Sequence, residues 1–297
     1  MSGGAAVEVH GLVKRYRARV ALDGVELVVR EGSVFGLVGP NGAGKTTLLA
    51  ILAGLRRASS GSARVAYPAG EVAFLPDTPQ FDPWLTAREV VDLARVLVAP
   101  ESPVARVDEA LRVSGLLGDA NRRVGGFSRG MLQRLGLAAT TVGRPRLLLL
   151  DEPCAALDPA GRREVLDLVA ALAGKATVVL STHILGDVEE VCETVGILRD
   201  GRLVFDGPLD ALLAAHATAA YRVRVASPIE EAEAACAREP WVRTTERIGA
   251  TELRLSVRSL AEAQRELVRV LAAAGVRVVR LEPEAPDLEQ VFLELTR

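Results

Sequence analysis

Apolar and polar positions alternate through residues 7–36, at Val7-Glu8-Val9, at Leu27-Val28-Val29 and from Val34 onward. That period of two predicts strands. Ala63–Ala66 and Glu71–Leu75 add two more of the same kind. From Thr86 to about Leu117 the period becomes helical, with Val90, Leu93, Ala94 and Leu97 on one face. Two short continuous apolar runs, Leu147–Leu150 and Ala176–Leu180, read as buried strands, and helices fit at Pro159–Leu172 and Leu185–Cys192. Strands alternating with helices predict an α/β core with a mostly parallel sheet. The helical stretch near 86–142 reads as an insertion on that core, its subdomain running over about 78–142.

The segment Gly207–Ala217 reads as a junction, because the pattern restarts after it. Tyr221–Val225 predicts a strand, Pro228–Arg238 a helix, and Val242–Arg247 and Leu253–Val257 two strands. Leu260–Ala274 predicts a helix and Val276–Leu281 a strand. The order β-α-β-β-α-β is the ferredoxin-like arrangement of a small α+β domain. A last helix, Leu288–Leu295, closes the chain. The expected domains are therefore 5–216 and 217–297.

The chemistry enters between the strand at Val34–Val38 and the helix predicted at Thr47–Ala53. Gly39-Pro40-Asn41-Gly42-Ala43-Gly44-Lys45-Thr46 fits G-x-x-x-x-G-K-[ST], the phosphate-binding P-loop, and Thr47 follows it. The glycines permit torsions and backbone approach that a side chain would block. Successive N–H groups can then converge on a polyphosphate at a helix N-terminus. Lys45 brings a full charge to the β- and γ-phosphates, and the Thr46 hydroxyl is a ligand for Mg²⁺. Further on, Leu147–Leu150 delivers Asp151 and Glu152 at a strand end. An acid there can hold Mg²⁺ through water, and its neighbour can polarise an attacking water. Taken alone, that run is equally a strand capped by a helix-starting acid. Pro153, then Ala156-Leu157-Asp158, and Ser181-Thr182-His183 at the end of the next strand narrow the choice, and Phe127-Ser128-Arg129-Gly130-Met131 opens a helix in between.

This ordered set resembles the nucleotide-binding domain of ABC ATPases over roughly residues 5–215. The resemblance implies a P-loop NTPase fold with ATP and Mg²⁺ as cofactors. It makes Gly39–Thr47 the Walker A motif, Leu147–Asp151 Walker B, Glu152 the catalytic acid–base, Ala156–Asp158 the D-loop and His183 the switch histidine. It puts Tyr16 against adenine, with a plain strand aromatic as the alternative. It aligns Phe127–Met131 with the L-S-G-G-Q signature, where Ser128 and Gly130 are kept while Arg129 and Met131 depart. Asp77 stands where the family has the Q-loop glutamine, so Asp77 is a candidate Mg²⁺ ligand; Gln80 is a weaker stand-in. The tail Ala285–Thr296 resembles the ATP-binding subunits of ABC-2-type exporters of the daunorubicin-resistance kind. Those imply a second ATPase subunit, two copies of one chain in a homodimer, and a separate membrane permease for a drug, lipid or other substrate. The alternatives are a soluble ABC ATPase acting on nucleic acid or the ribosome, and an importer ATPase. The former is disfavoured because residues 47–127 are too short for a coiled-coil insertion and a second Walker A is absent.

Composition fits this reading. With 297 residues, 49% of them hydrophobic and 25% charged, the chain can bury a sizeable core. A net charge of −2 gives no bulk attraction to nucleic acid, and no nucleic-acid partner is expected. Cys154, Cys192 and Cys236 show no metal spacing and read as reduced thiols. No leader and no run of ~18 apolar residues is evident. The expected location is the cytoplasm, on the inner face of the membrane through the permease.

Overall fold

The structure is a computed structural model that describes residues 4–155, 157–216, 220–226, 228–284 and 288–295. It forms two compact units, one up to Asp210 and the other over Ala211–Glu294. In the first, a long hairpin of β1 (Ala5–Tyr16) and β2 (Arg19–Arg30) precedes β3 (Val34–Val38) and α1 (Lys45–Leu52). Strands β4 (Ser60–Val65) and β5 (Val72–Leu75) follow, then helices α2 (Ala87–Val98), α3 (Ala105–Val113) and α4 (Arg129–Thr141). The chain then alternates through β6 (Leu147–Asp151), α5 (Pro159–Leu172), β7 (Thr177–Thr182), α6 (Leu185–Val191) and β8 (Thr194–Arg199). The antiparallel strand β9 (Arg202–Pro208) completes it, and the division between units falls within α7 (Leu209–His216), where a junction was expected at 216/217.

The central sheet has the order β5-β6-β7-β3-β8-β9, parallel except for β9. Every residue of β3, β6 and β7 is buried, as expected for parallel strands covered on both faces. One expectation needs correction. The early strands do not all join this sheet: β2, β1 and β4 form a separate antiparallel sheet. The hairpin turns at Arg17, which holds a left-handed φ of 49°, and β1 buries Val7 and Val9 and, past a register shift, Leu12. Antiparallel strands joined by a tight turn pair locally, and one buried face gives the alternation, so the pattern alone did not say which sheet it belonged to. Arg146, just before β6, ties the layers together by pairing with Glu31 and Glu71 and stacking 4.4 Å from the Tyr67 ring.

The inserted helices form their own cluster around Val91, Val107, Leu111 and Leu135. Helix α2 starts in a capping box: the Glu89 N–H donates to Thr86 Oγ1 at 3.2 Å, and the Thr86 N–H donates to Glu89 Oε2 at 2.8 Å. Gly136 of α4 packs where a Cβ would lie 2.5 Å from Leu75 Cδ1, so the insertion sits directly on β5 and the loop beyond it.

The second unit contains β10 (Ala220–Val225), α8 (Ile229–Ala237), β11 (Val242–Arg247), β12 (Glu252–Val257), α9 (Leu260–Ala273), β13 (Val278–Pro283) and α10 (Leu288–Leu295). Its antiparallel sheet has the order β11-β12-β10-β13, and its core gathers Val223, Trp241, Leu253, Leu255 and Leu267. The tail residues 285–287 and 296, part of the resemblance, lie outside the described residues. All three cysteines are buried, and burial pushes the Cys154 and Cys192 thiols up to about 12 and Cys236 to about 11.

The two tryptophans differ sharply: Trp241 is 3% exposed and Trp84 68%. In a Trp84→Phe background, fluorescence therefore reports on the second unit through Trp241. Leu255→Ala, which empties part of that core, is expected to destabilise the unit by about 2–5 kcal/mol. The check is a lower denaturant midpoint for the Trp241 emission shift.

Candidate active site

The strand ends make the site. Val38 pairs with Thr182, and Asp151 with Ser181, so β3, β6 and β7 all finish at one edge of the sheet. From that edge come the loop 39–44, the acids Asp151 and Glu152, and His183. The loop geometry explains its glycines. Gly44 has φ 114°, and a Cβ there would lie 2.5 Å from the Ala21 carbonyl; a Cβ on Gly39 would lie 2.3 Å from the Leu198 carbonyl. Neither position has room for a side chain.

The loop borders a cavity of about 330 Å³. Asn41, Gly42, Ala43, Gly44, Lys45, Thr46 and Thr47 line it together with Tyr16, Asp77 and Glu152. Lys45 is buried, and its Nζ donates to the Gly39 carbonyl at 2.6 Å and to Pro40 at 3.4 Å. Glu152 Oε1 stands 3.3 Å from the same ammonium. The other oxygen of Glu152 meets His183 Nδ1 at 2.8 Å. One carboxylate thus bridges the cavity's lysine and His183. Glu152 holds a left-handed φ of 49°, a strained torsion for a residue with a Cβ. Hydrogen bonds from its own N–H to the Ser181 carbonyl (3.0 Å) and Ser181 Oγ (3.2 Å) hold it there.

Residues 22–155 match the family described as ABC transporter, and residues 207–296 match ATP-binding protein DrrA1-3-like, C-terminal domain. An uncharacterized ABC transporter ATP-binding protein of Bacillus subtilis (strain 168), YxlF, is 35% identical over 97% of this chain and 99% of its own length. The chain belongs to the ABC transporter ATP-binding proteins. The daunorubicin resistance ATP-binding protein DrrA3 of Streptomyces coeruleorubidus is likewise 35% identical, over 98% of this chain and 96% of its own. A solved dimeric post-hydrolysis state of the ATP-binding cassette MJ0796, bound to ADP and Pi, matches with a TM-score of 0.63 at 25% identity, over 68% of this chain and 98% of that one. This chain is accordingly an ABC ATPase with the P-loop NTPase fold, and among its described residues no helix is long and apolar enough to cross a membrane.

Within this ABC ATPase, Gly39, Pro40, Asp151 and His183 adjoin the lining through contacts with Lys45, Thr46 and Glu152, whereas Ser128, Gly130 and Asp158 are not among the lining residues. Ser128 caps α4, accepting the Met131 N–H at 3.3 Å, and Gly130 lies in that helix's first turn. Asp158 caps α5, accepting the Gly161 N–H at 2.9 Å ahead of Pro159. Ala156 lies outside the described residues. Tyr16 reaches the cavity mouth with Lys14 Nζ 4.9 Å from its ring. Two residues escaped the sequence reading. Arg19 lines the cavity and donates to the Gly42 carbonyl at 3.0 Å. Ser181 donates to Asp151 Oδ1 at 2.5 Å. For Ser181 the one local signal was its place in Ser181-Thr182-His183 at a strand end; Arg19, in a different sheet, carries none.

Burial raises the Asp151 carboxyl above the ordinary carboxylate range, while donation from Ser181 and Thr46 pulls it back down and the charges of Glu152 and Asp77 push it up again. An acid raised in the folded state adds stability only while protonated, so that contribution is lost as pH rises through the raised value. Ionising a carboxyl raised by burial costs the folded chain stability, and among the described residues the buried Oδ2 of Asp151 has no hydrogen-bond partner. Asp151→Asn is therefore expected to raise the melting temperature of the nucleotide-free, metal-free protein at pH 7, with a smaller gain at pH 4. Calorimetry at the two pH values checks the sign.

Proposed function

We propose that this subunit hydrolyses Mg·ATP in a head-to-tail sandwich of two copies and so drives a separate ABC-2-type permease that exports a drug, lipid or other substrate. The observation that carries the hydrolytic part is Glu152 bridging Lys45 and His183 at the cavity wall. The exporter reading is supported by the match of the second unit to a DrrA-like C-terminal domain and by a relative named for daunorubicin resistance. The subunit would sit on the cytoplasmic face through its permease.

The residues at hand fit Mg²⁺. Asp151 offers a buried oxygen with no hydrogen-bond partner among the described residues, Thr46 donates to the same carboxylate, and Asp77 lies close enough for its charge to act on Asp151. These are hard oxygen donors, the kind Mg²⁺ takes. Thr46, Asp151 and Asp77 would hold the ion, which neutralises charge on the β- and γ-phosphates when bound.

Lys45 exchanges its carbonyl partners and Glu152 for phosphate oxygens as the nucleotide enters. Glu152, freed from the ammonium, orients and deprotonates the attacking water, and His183 keeps its carboxylate aimed. The loop N–H groups and Lys45 stabilise charge that grows in the transition state. Tyr16 offers its ring to the adenine. Ser128, Gly130 and Asp158 complete the site of the facing copy, which accounts for their distance from this chain's own cavity.

Glu152→Gln keeps the side chain's shape but cannot accept a proton. Turnover is expected to fall roughly 10²–10⁴-fold. ATP binding should persist, and ATP-bound dimers should accumulate on size exclusion. Turnover near the wild-type rate would remove Glu152 from this role. For Asp77→Ala, the Mg²⁺ concentration giving half-maximal hydrolysis should rise while nucleotide affinity changes less; identical Mg²⁺ curves would exclude Asp77 as a ligand. Purification from detergent-solubilised cells should recover a polytopic membrane protein; recovery of ribosomes or DNA would refute the transport reading.

A further inference from the structure

Behind His183 lies a chain of polar contacts that none of the steps above uses. His183 holds Glu152 twice: its ring Nδ1 meets Oε2 at 2.8 Å, and its N–H donates to the same oxygen at 3.4 Å. The position of Oε2 therefore depends on the backbone of residue 183 as well as on its ring. One hydroxyl holds that backbone. Thr182 Oγ1 accepts the Ile184 N–H at 2.9 Å, closing the turn around His183, and donates to Asp187 Oδ2 at 3.3 Å.

Asp187 stands in the first turn of α6, where an acid can face solvent and still favour the helix dipole. It is instead 1% exposed, and Thr182 is 2% exposed. A carboxylate is seldom buried so fully unless it is paired. The pairing comes from another helix: Arg162 of α5 donates its Nε–H to Asp187 Oδ1 at 2.5 Å. Burial pushes the Asp187 carboxyl up, Arg162 and Thr182 pull it back down, and the charge of Glu152 reaches far enough to push it up again. One oxygen is thus committed to the turn and the other to α5. Turning Asp187 away from Thr182 would also break its contact with Arg162. A buried ion pair adds little net stability over apolar residues of the same size. What this one supplies is a fixed geometry beside the site.

We propose that Asp187, held by Arg162, is a positioning residue for hydrolysis: through Thr182 it fixes the turn that carries His183, and through His183 it aims the carboxylate of Glu152. This rests on the roles given above to Glu152 and His183. No proton moves along the chain; it contributes stiffness. A displacement of about 1 Å in a reacting geometry can lower a rate roughly 10²-fold.

Turnover of the full chain tests the proposal. Thr182→Val keeps the side chain's shape and removes the hydroxyl. Its kcat should fall roughly 10–10²-fold while KM for ATP stays near the wild-type value. Thr182→Ser, which keeps the hydroxyl, should recover most of that loss. Arg162→Ala frees Asp187 to turn and should lower kcat in the same way, less steeply. A wild-type kcat in Thr182→Val or in Arg162→Ala would overturn the proposal. The same change in a His183→Ala background separates aim from general loosening. Action through His183 means that Thr182→Val costs nothing further there; an equal fold-loss in both backgrounds would count against it. The chain has three histidines, so the ring-proton resonance of His183 is identified by its disappearance in His183→Ala. It should shift in Thr182→Val and return in Thr182→Ser, and a resonance unmoved in Thr182→Val contradicts the proposal. If Glu152→Gln or His183→Ala turns over at the wild-type rate, the hydrolytic roles fail and Asp187 with them. If both are slow and Thr182→Val is not, the positioning role alone fails.

Discussion

The hydrogen-bond register of β3, β7 and β6 sets the position of every reactive group in the first unit. Val38 faces Thr182 and Asp151 faces Ser181, so phosphate loop, carboxylates and histidine leave the sheet at one level. Side chains alternate along a strand, and a slip of one residue would turn Asp151 to the other face of the sheet. That register is protected because β3, β6 and β7 are buried throughout, and a shift would move each apolar contact on both faces. The chemistry is loop chemistry, but its accuracy comes from the sheet.

Within that frame the site is a set of charges held close in a poorly solvated place. Lys45 leans on backbone carbonyls, Glu152 sits between it and His183, and burial raises the Asp151 carboxyl while two hydroxyl donors pull it back down. Each group is balanced by a partner that a nucleotide or metal ion would replace. Among the described residues, single buried oxygens of Asp151 and Glu152 are left there without a hydrogen-bond partner.

The sequence was most informative where local order and chemistry coincide. The P-loop needs strand, turn and helix in succession, and all three are contiguous in the chain. Asp151 and Glu152 were legible because a buried parallel strand reads as an unbroken apolar run with its acids at the end. The ferredoxin-like unit followed from its order of strands and helices. What stayed hidden depends on contacts between distant segments. Nothing near β1, β2 and β4 announces that they leave the main sheet, since alternation looks the same in either sheet. The approach of Arg19 to Gly42 crosses between those sheets and has no sequence period to reveal it.

Cys154 lies two residues beyond Glu152, close enough that a reactive thiol there could interfere with hydrolysis. Its buried thiol, pushed up to about 12, has another consequence. At neutral pH only about one molecule in 10⁵ carries the thiolate there, the form that peroxides and alkylating agents attack. Cys192 is equally guarded, and Cys236 nearly so. Thiol-directed oxidants therefore find little purchase on these cysteines, and a single cysteine placed on the surface would be modified ahead of all three native thiols.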